Sequence, residues 1–519
     1  MSSLSTTVSA QTAHHRTMAG RRTPPPDTIP ISVTSITLPS VDPLSLYTVL
    51  TEKHTPEDVY LFESLDGPAR DRQAAAVGWG RLAELRFLAD RCELTATGPL
   101  GGALRAVVTA ILGPPVPRDA TTYTWVVPGP ARLWAVVRAV QRAFAVSTTV
   151  PTDRFAFGFL TTLAYEAARD MDELSLDRTV DDLPRCALTL FRHTVWWDLR
   201  AGTVDQLSAA GPHLPPEDTP PVARLLAGRP DREPEVPAAP APARVQDNLD
   251  EETFARRVRR CLRHIEVGDS YQIQIGHRIE VETDLTPAQV YRRLRHRNPS
   301  PYMYLAPWAG RTVIGASPEL FLRIDGDRLS MRPIAGTAAR AADPETDRRR
   351  VDELLASEKE RAEHVMLVDL CRNDIGRVCE PGTLSVDAML DVEPFAYVHH
   401  LVSTVSGRLD DGADVWAAVC AAFPAGTMTG APKLRAMEII DGLEDEPRGI
   451  YAGAIGLVDV RGFAVLALCI RTAVHDGHRY HTQASAGVVA DSTPAAEWRE
   501  TLAKMSAAYW ALTGEELLP

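Results

Sequence analysis

The stretch Glu358-Lys-Glu-Arg-Ala-Glu-His-Val-Met-Leu-Val-Asp-Leu-Cys-Arg-Asn-Asp374 decides how this chain is read. It sits in a longer run, Arg349 to Ile375, whose apolar positions recur at helical spacing. Residues three apart share a helix face, so Glu360 and Glu363 present two carboxylates side by side. Glu497 and Glu500 repeat the spacing in a second expected helix near the C-terminus. Brought together, the two faces would make an all-oxygen nest for Mg²⁺, which binds through carboxylates, waters and an anionic substrate. Taken alone, a Glu-x-x-Glu pair is most often a solvated helix face.

Three turns rich in small residues accompany these helices: Pro333-Ile-Ala-Gly-Thr337, Pro424-Ala-Gly-Thr-Met-Thr-Gly-Ala-Pro-Lys433 and Ala484-Ser-Ala-Gly-Val488. Glycines let backbone amides approach a ligand carboxylate closely and threonine hydroxyls add donors, although tight turns without a ligand use the same residues. Arg471 and Lys504 are isolated cations suited to a carboxylate, with a surface salt bridge as the ordinary alternative for each. Of the 55 basic residues only Lys53, Lys359, Lys433 and Lys504 are lysines, which leaves 51 arginines. A lysine kept where arginine is the default cation points to a need for a compact donor; chance retention is the alternative.

A length of 519 residues allows one large domain or two intertwined ones, either with a sizeable core. The composition, 45% hydrophobic and 24% charged, is that of a globular soluble protein, and no uncharged apolar run of about 18 residues occurs. The net charge of -13 disfavours nucleic acid and anionic membranes as partners without excluding a small anionic substrate. Seven cysteines at 92, 186, 261, 371, 379, 420 and 469 form no Cys-x-x-Cys pair, which fits a reducing cytoplasm.

Residues 1–40 read as a disordered N-terminal tail; its acid-free start loosely imitates a transit peptide. Residues 41–210 read as an N-terminal regulatory or structural region, with an amphipathic helix over Pro130 to Val146 and a strand over Ala187 to Asp198. Residues 211–248 are a Pro/Ala-rich linker. Residues 249–519 read as a second domain dense in alternating strands and helices, the candidate catalytic domain, with a strand over Tyr271 to Val281 and a hairpin from Ile450–Val460 and Phe463–Ala473. No Gly-x-Gly-x-x-Gly turn and no Walker loop supports a nucleotide-binding domain.

The segment Glu358–Asp374, the loop Phe423–Lys433 and the tail Ala486–Thr501 closely resemble the chorismate-utilising enzymes, over about residues 250 to 515. The resemblance implies an α+β fold, a large sandwich of two antiparallel sheets flanked by helices. It implies Mg²⁺ held by Glu363 and Glu500, with Glu360 and Glu497 one shell out. Arg471, Tyr451 and Lys504 match groups that hold the enolpyruvyl carboxylate of chorismate, and Gly336, Thr337, Thr427 and Gly487 match donors around the substrate. Glu319, in Ser317-Pro-Glu-Leu320, matches the acid that protonates the departing C4 hydroxyl, a role that requires a raised pKa. His400 matches the histidine associated with pyruvate elimination; a satisfied core histidine is the bland alternative.

Relatives that add water at C2 carry a lysine base where Gln272 stands, and relatives that aminate C4 commonly carry a lysine nucleophile where Ala335 stands. Glutamine cannot deprotonate water and alanine supplies no nucleophile, so ammonia is expected to add at C2 and give anthranilate and pyruvate. Leu61-Phe-Glu-Ser64 and Asn298-Pro-Ser-Pro-Tyr-Met303 resemble elements of anthranilate synthase large subunits that form a tryptophan feedback site, here Glu63, Ser64, Pro301, Tyr302 and Met303. A domain contact without a ligand is the alternative. Ala338-Ala-Arg-Ala341 replaces an Arg-Pro-Arg-Gly run, Ser485 an expected glycine and Phe62 a leucine. No Gly-x-Cys-x-Gly elbow is present, so ammonia is expected from a separate glutamine amidotransferase. The competing readings are an aminodeoxychorismate or 2-amino-2-deoxyisochorismate synthase and a catalytically inactive tryptophan-binding paralogue.

Overall fold

A computed structural model of the chain describes residues 28–172, 174, 183–216, 222–226 and 235–518. Most of the expected tail, residues 1–27, and linker residues 217–221 and 227–234 lie outside the described residues. The described residues form an α+β fold in which helices flank a large, almost wholly antiparallel sheet. Hydrogen bonding links 24 strands among them into one network, so the two expected sheets are continuous with each other.

The longest strands, Ala74–Phe87 and Cys186–Asp198, pair along almost their whole length and are covered on both faces. Their sequences accordingly read as near-continuous apolar runs. The N-terminal and C-terminal regions share this sheet. Strand Val59–Glu63 pairs with Tyr302–Trp308, and Gly158–Leu163 pairs with Ala454–Asp459. One apolar cluster unites Tyr60, Phe159 and Trp196 with Phe321, Trp416 and Phe463; another unites Leu44 and Trp79 with Tyr291 and Met505.

Several expected boundaries move. Ile29–Thr37, placed in the tail by its polarity, is a strand paired with Thr203–Ala210, because Ile29, Ile31 and Val33 alternate inward. The linker contributes helix Val222–Leu226, with Val222 and Leu225 buried, and strand Arg244–Asp247, which pairs with Gln272–Glu282. The helical run before Ile375 is two helices, Pro344–Ala356 and Glu358–Gly376. Ser357 breaks it by accepting the Glu360 amide as an N-cap. The helix expected over Pro130 to Val146 ends at Arg142, and Phe144–Ser147 is a strand. The expected hairpin pairs Ala454–Asp459 with Ala464–Leu468, after which the chain turns at Arg471. No helix among the described residues is long and apolar enough to cross a membrane.

Candidate active site

Two helices, Glu358–Gly376 and Pro494–Thr513, carry the four glutamates. Burial, then the charges of Glu360 and Glu500, push the Glu363 carboxyl up, so residues more than a hundred positions apart share one electrostatic environment. The Gln272 amide donates to Glu363 at 2.6 Å. Burial and the neighbouring Glu500 also raise Glu497, whose Oε2 is buried without a hydrogen-bond partner. Glu500 is more open and pairs with Lys504 at 2.6 Å.

No group of three or more His, Cys, Asp or Glu side chains that could hold a metal ion forms among the described residues. Mg²⁺ does not demand one: it takes one or two carboxylates and completes its shell with water and substrate oxygens. Mutually repelling carboxylates and an orphaned carboxylate oxygen are an excess of negative charge that a hard divalent cation fits.

At the other end of the site the charge reverses. Arg471 is half-buried, desolvation pushes its pKa down against the nearby charges of Tyr451 and Glu500, and its guanidinium makes no hydrogen bond or ion pair among the described residues. Its backbone holds φ 52°, a costly conformation for a side-chain-bearing residue and one that recurs at functional sites. Tyr451 is buried alongside, with its hydroxyl 2.8 Å from the Ser485 hydroxyl. Lys504 donates to the Ser485 carbonyl at 2.9 Å. A half-buried cation with no acid at hydrogen-bond distance is suited to a ligand that supplies the anion.

Glu319 is coupled to the basic groups through the charge of Lys504. It is buried, and desolvation pushes its carboxyl up to about 8, against the opposing effects of a 3.0 Å hydrogen bond from Thr427 and the charge of Lys504. It therefore carries its proton at neutral pH. His400 is buried on strand Val398–Arg408, opposite Thr337 of the neighbouring strand Ile334–Ala339. Burial, with the charges of Arg471 and Lys504, pushes it down to about 4, so the ring is neutral. Nδ1 lies 2.9 Å from the Gly336 carbonyl and 3.1 Å from the Thr337 hydroxyl. A carbonyl only accepts, so Nδ1 carries the hydrogen and Nε2 keeps its lone pair.

Two glycines keep this space open. At Gly336 (φ 64°) a Cβ would stand 3.2 Å from Glu360 Oε2 and 3.0 Å from Leu401. At Gly487 it would fall 2.7 Å from Gln272 Nε2 and 2.8 Å from Gln274 Nε2. Lys433, which sits in the resembling loop, is away from this chemistry: it pairs with Asp374 at 2.7 Å and donates to the Ala422 carbonyl.

Glu63, Pro301, Tyr302 and Met303 come together around a cavity of about 60 Å³, whereas Ser64 does not line it and its buried hydroxyl has no partner. Glu63 is already committed: Tyr291 donates to it at 2.6 Å, and Arg295 holds it at 3.0 and 3.1 Å. Sequence reasoning missed Tyr291 and Arg295, and it missed Gln274, the hydrogen-bond acceptor of Ser485 at 2.9 Å. Gln274 was findable, because Gln272-Ile-Gln-Ile275 puts two amides on one side of a strand whose first isoleucines face the other.

Fold and site together define an antiparallel α+β enzyme with a carboxylate cluster, adjoining basic groups and a buried carboxyl of raised pKa. The chain belongs to the family described as chorismate binding enzyme, whose model matches residues 119–509. It is 47% identical over 479 residues to a Streptomyces globisporus protein named 2-amino-4-deoxychorismate synthase, covering 92% of this chain and 95% of that one. It is 38% identical over 488 residues to anthranilate synthase component 1 of Haloferax volcanii, covering 90% of each. The crystal structure of anthranilate synthase component I from Streptococcus pneumoniae is similar, with TM-score 0.62 and 26% identity over 84% of this chain and 92% of that one.

Proposed function

We propose that the chain aminates chorismate, adding ammonia at C2 as the C4 hydroxyl departs. The observation that carries this reading is Glu319, a buried carboxyl that keeps its proton at neutral pH. The C2–N bond forms, the ring double bonds shift, the C4–O bond breaks, and the Glu319 proton leaves with the oxygen as water. Arg471 and Lys504 receive the enolpyruvyl carboxylate, with Tyr451 packed beside them. Glu363 and Glu500, backed by Glu360 and Glu497, would hold Mg²⁺, which when bound neutralises the ring carboxylate and offsets developing charge. Gln272 in place of a lysine leaves no base for water, so ammonia is the nucleophile. We assign its supply to a separate glutamine amidotransferase.

Two end points follow from this step. The lone pair on His400 Nε2 supports onward removal of the C2 proton and loss of pyruvate, giving anthranilate. The near full-length Streptomyces globisporus relative favours a product that keeps its enolpyruvyl group. Tryptophan remains the candidate occupant of the cavity beside Glu63, on the condition that the cavity opens. Incubation with chorismate, Mg²⁺ and ammonium salts should consume chorismate and yield an aminated product by mass, with anthranilate fluorescence and pyruvate reporting the end point. Glutamine alone should support no turnover; consumption of chorismate without nitrogen incorporation sinks the reading.

A further inference from the structure

The hydroxyl of Ser485 sits at a junction. Strand Tyr480–Val488 runs antiparallel to Gln272–Glu282, with Ser485 opposite Gly276 and Gly487 opposite Gln274. Ser485 is 1% exposed, donates its one hydroxyl hydrogen to Gln274 Oε1 at 2.9 Å, and lies 2.8 Å from the Tyr451 oxygen. Gln274 Nε2 points instead toward Gly487, so the amide oxygen is the end left for Ser485. With the serine hydrogen used, the hydrogen in the Tyr451–Ser485 contact must come from tyrosine. The Ser485 carbonyl meanwhile accepts from Lys504 at 2.9 Å. One residue thus ties down two of the three groups assigned to the enolpyruvyl end, and it does so where the resembling enzymes have a glycine without a hydroxyl.

We propose that Ser485 is a positioning residue that makes this enzyme retain the enolpyruvyl group, by turning the Tyr451 hydroxyl hydrogen away from the substrate. This rests on the reading that the chain aminates chorismate at C2. Pyruvate release takes the C2 proton, returns the C2–H electrons to the ring as its third double bond, and breaks the C3–O bond. The electron pair leaves with the enolpyruvyl oxygen, which must gain a proton to depart as the enol of pyruvate. A tyrosine bonded to Ser485 offers that oxygen only lone pairs, and burial keeps the phenol protonated, so it supplies no charge of its own to the step. The third group, Arg471, is assigned to the carboxylate, and Lys504 gives hydrogens to the Ser485 carbonyl and Glu500.

The test is the ratio of pyruvate to total aminated product, measured with chorismate, Mg²⁺ and ammonium for the wild type and for Ser485→Ala, Ser485→Thr and Ser485→Ala/Tyr451→Phe. The wild type should release well under one pyruvate per chorismate. Ser485→Ala, which removes the acceptor and frees the tyrosine hydrogen, should raise the ratio by at least about fivefold, the size of a neutral hydrogen-bond contribution of ~1 kcal/mol. Ser485→Thr should keep the wild-type ratio, and Tyr451→Phe should cancel the gain. Stoichiometric pyruvate from the wild type overturns the proposal without any variant, as does an unmoved ratio in Ser485→Ala. Absence of amination by the wild type overturns the underlying reading with it, whereas an unmoved ratio leaves amination standing.

Discussion

Arg471 and Arg295 are both withdrawn from solvent beside glutamates, yet only Arg295 has an acid to itself. Around Arg295 every charge is matched inside the protein: Glu63 takes two hydrogen bonds from the guanidinium and one from Tyr291. Around Arg471 the matching is incomplete, since the nearby Glu500 pairs with Lys504 instead. The guanidinium has no partner among the described residues, Glu497 keeps an orphaned oxygen, and Glu319 is held protonated. Internal satisfaction stabilises a fold, whereas unmatched charge costs stability and persists where a ligand completes it. By this measure the C-terminal region is built to receive ions and the N-terminal cavity is built to hold two halves of a sheet together.

The comparison breaks most visibly at Glu319. Replacing Glu319 with Gln should lower kcat/KM on the order of 10²- to 10⁴-fold, the usual worth of a general acid. It should also raise stability at neutral pH. A carboxyl with a folded pKa near 8 and an ordinary value of 4.5 keeps a proton that the unfolded chain gives up, so its cost to stability grows as pH rises between those two values. At neutral pH relief of that cost is on the order of 3 kcal/mol, read as a higher Tm. In the wild type, kcat/KM should fall as pH rises through about 8, where the acid loses its proton. A profile flat across that range would remove Glu319 from the proton transfer.

The two arginines sharpen the contrast. Arg471→Met should reduce kcat/KM for chorismate by roughly 10- to 100-fold, the worth of a hydrogen bond to a charged group, with Tm unchanged or higher. Arg295→Met should do the opposite, costing ~3–5 kcal/mol of stability by stranding the Glu63 carboxylate, with kcat near wild type in the folded fraction. Equal destabilisation by both would erase the distinction between a site and a strut.

What the sequence disclosed follows the same line. The glutamates of the acidic end were legible because helical spacing is local: Glu360 and Glu363, like Glu497 and Glu500, announce their shared face within four residues. The roles of Glu319, Arg471 and His400 were legible only through resemblance, since no pattern around them states a pKa or a missing partner. The Tyr451–Ser485–Gln274 relay was out of reach, joining residues 34 and 211 positions apart through side-chain directions that only the sheet register fixes. Of the fold, strands such as Cys186–Asp198 and the antiparallel pairing after Ile450 were readable from apolar runs. The strand Ile29–Thr37 was hidden because most of its outward residues are Ser and Thr, which outweighed the three inward apolar ones in a compositional reading.

The smallest expected effect lies in the N-terminal cavity. Resemblance makes tryptophan its candidate occupant, but a volume of about 60 Å³ is far below the roughly 300 Å³ at which ligand sites begin. The carboxylate that would receive the α-amino group is also held by Arg295 and Tyr291. Binding would have to enlarge the cavity and displace a guanidinium with an ammonium, and the population of that open state divides the apparent affinity. Tryptophan at millimolar concentration should therefore change the rate of chorismate consumption by less than about twofold, and Ser64→Phe should leave that response where it is, because Ser64 does not line the cavity. Strong inhibition relieved by Ser64→Phe would show that the cavity opens readily. The Glu63–Arg295 pair would then be a latch for an effector, and the division between a matched strut and an unmatched site would have to be redrawn.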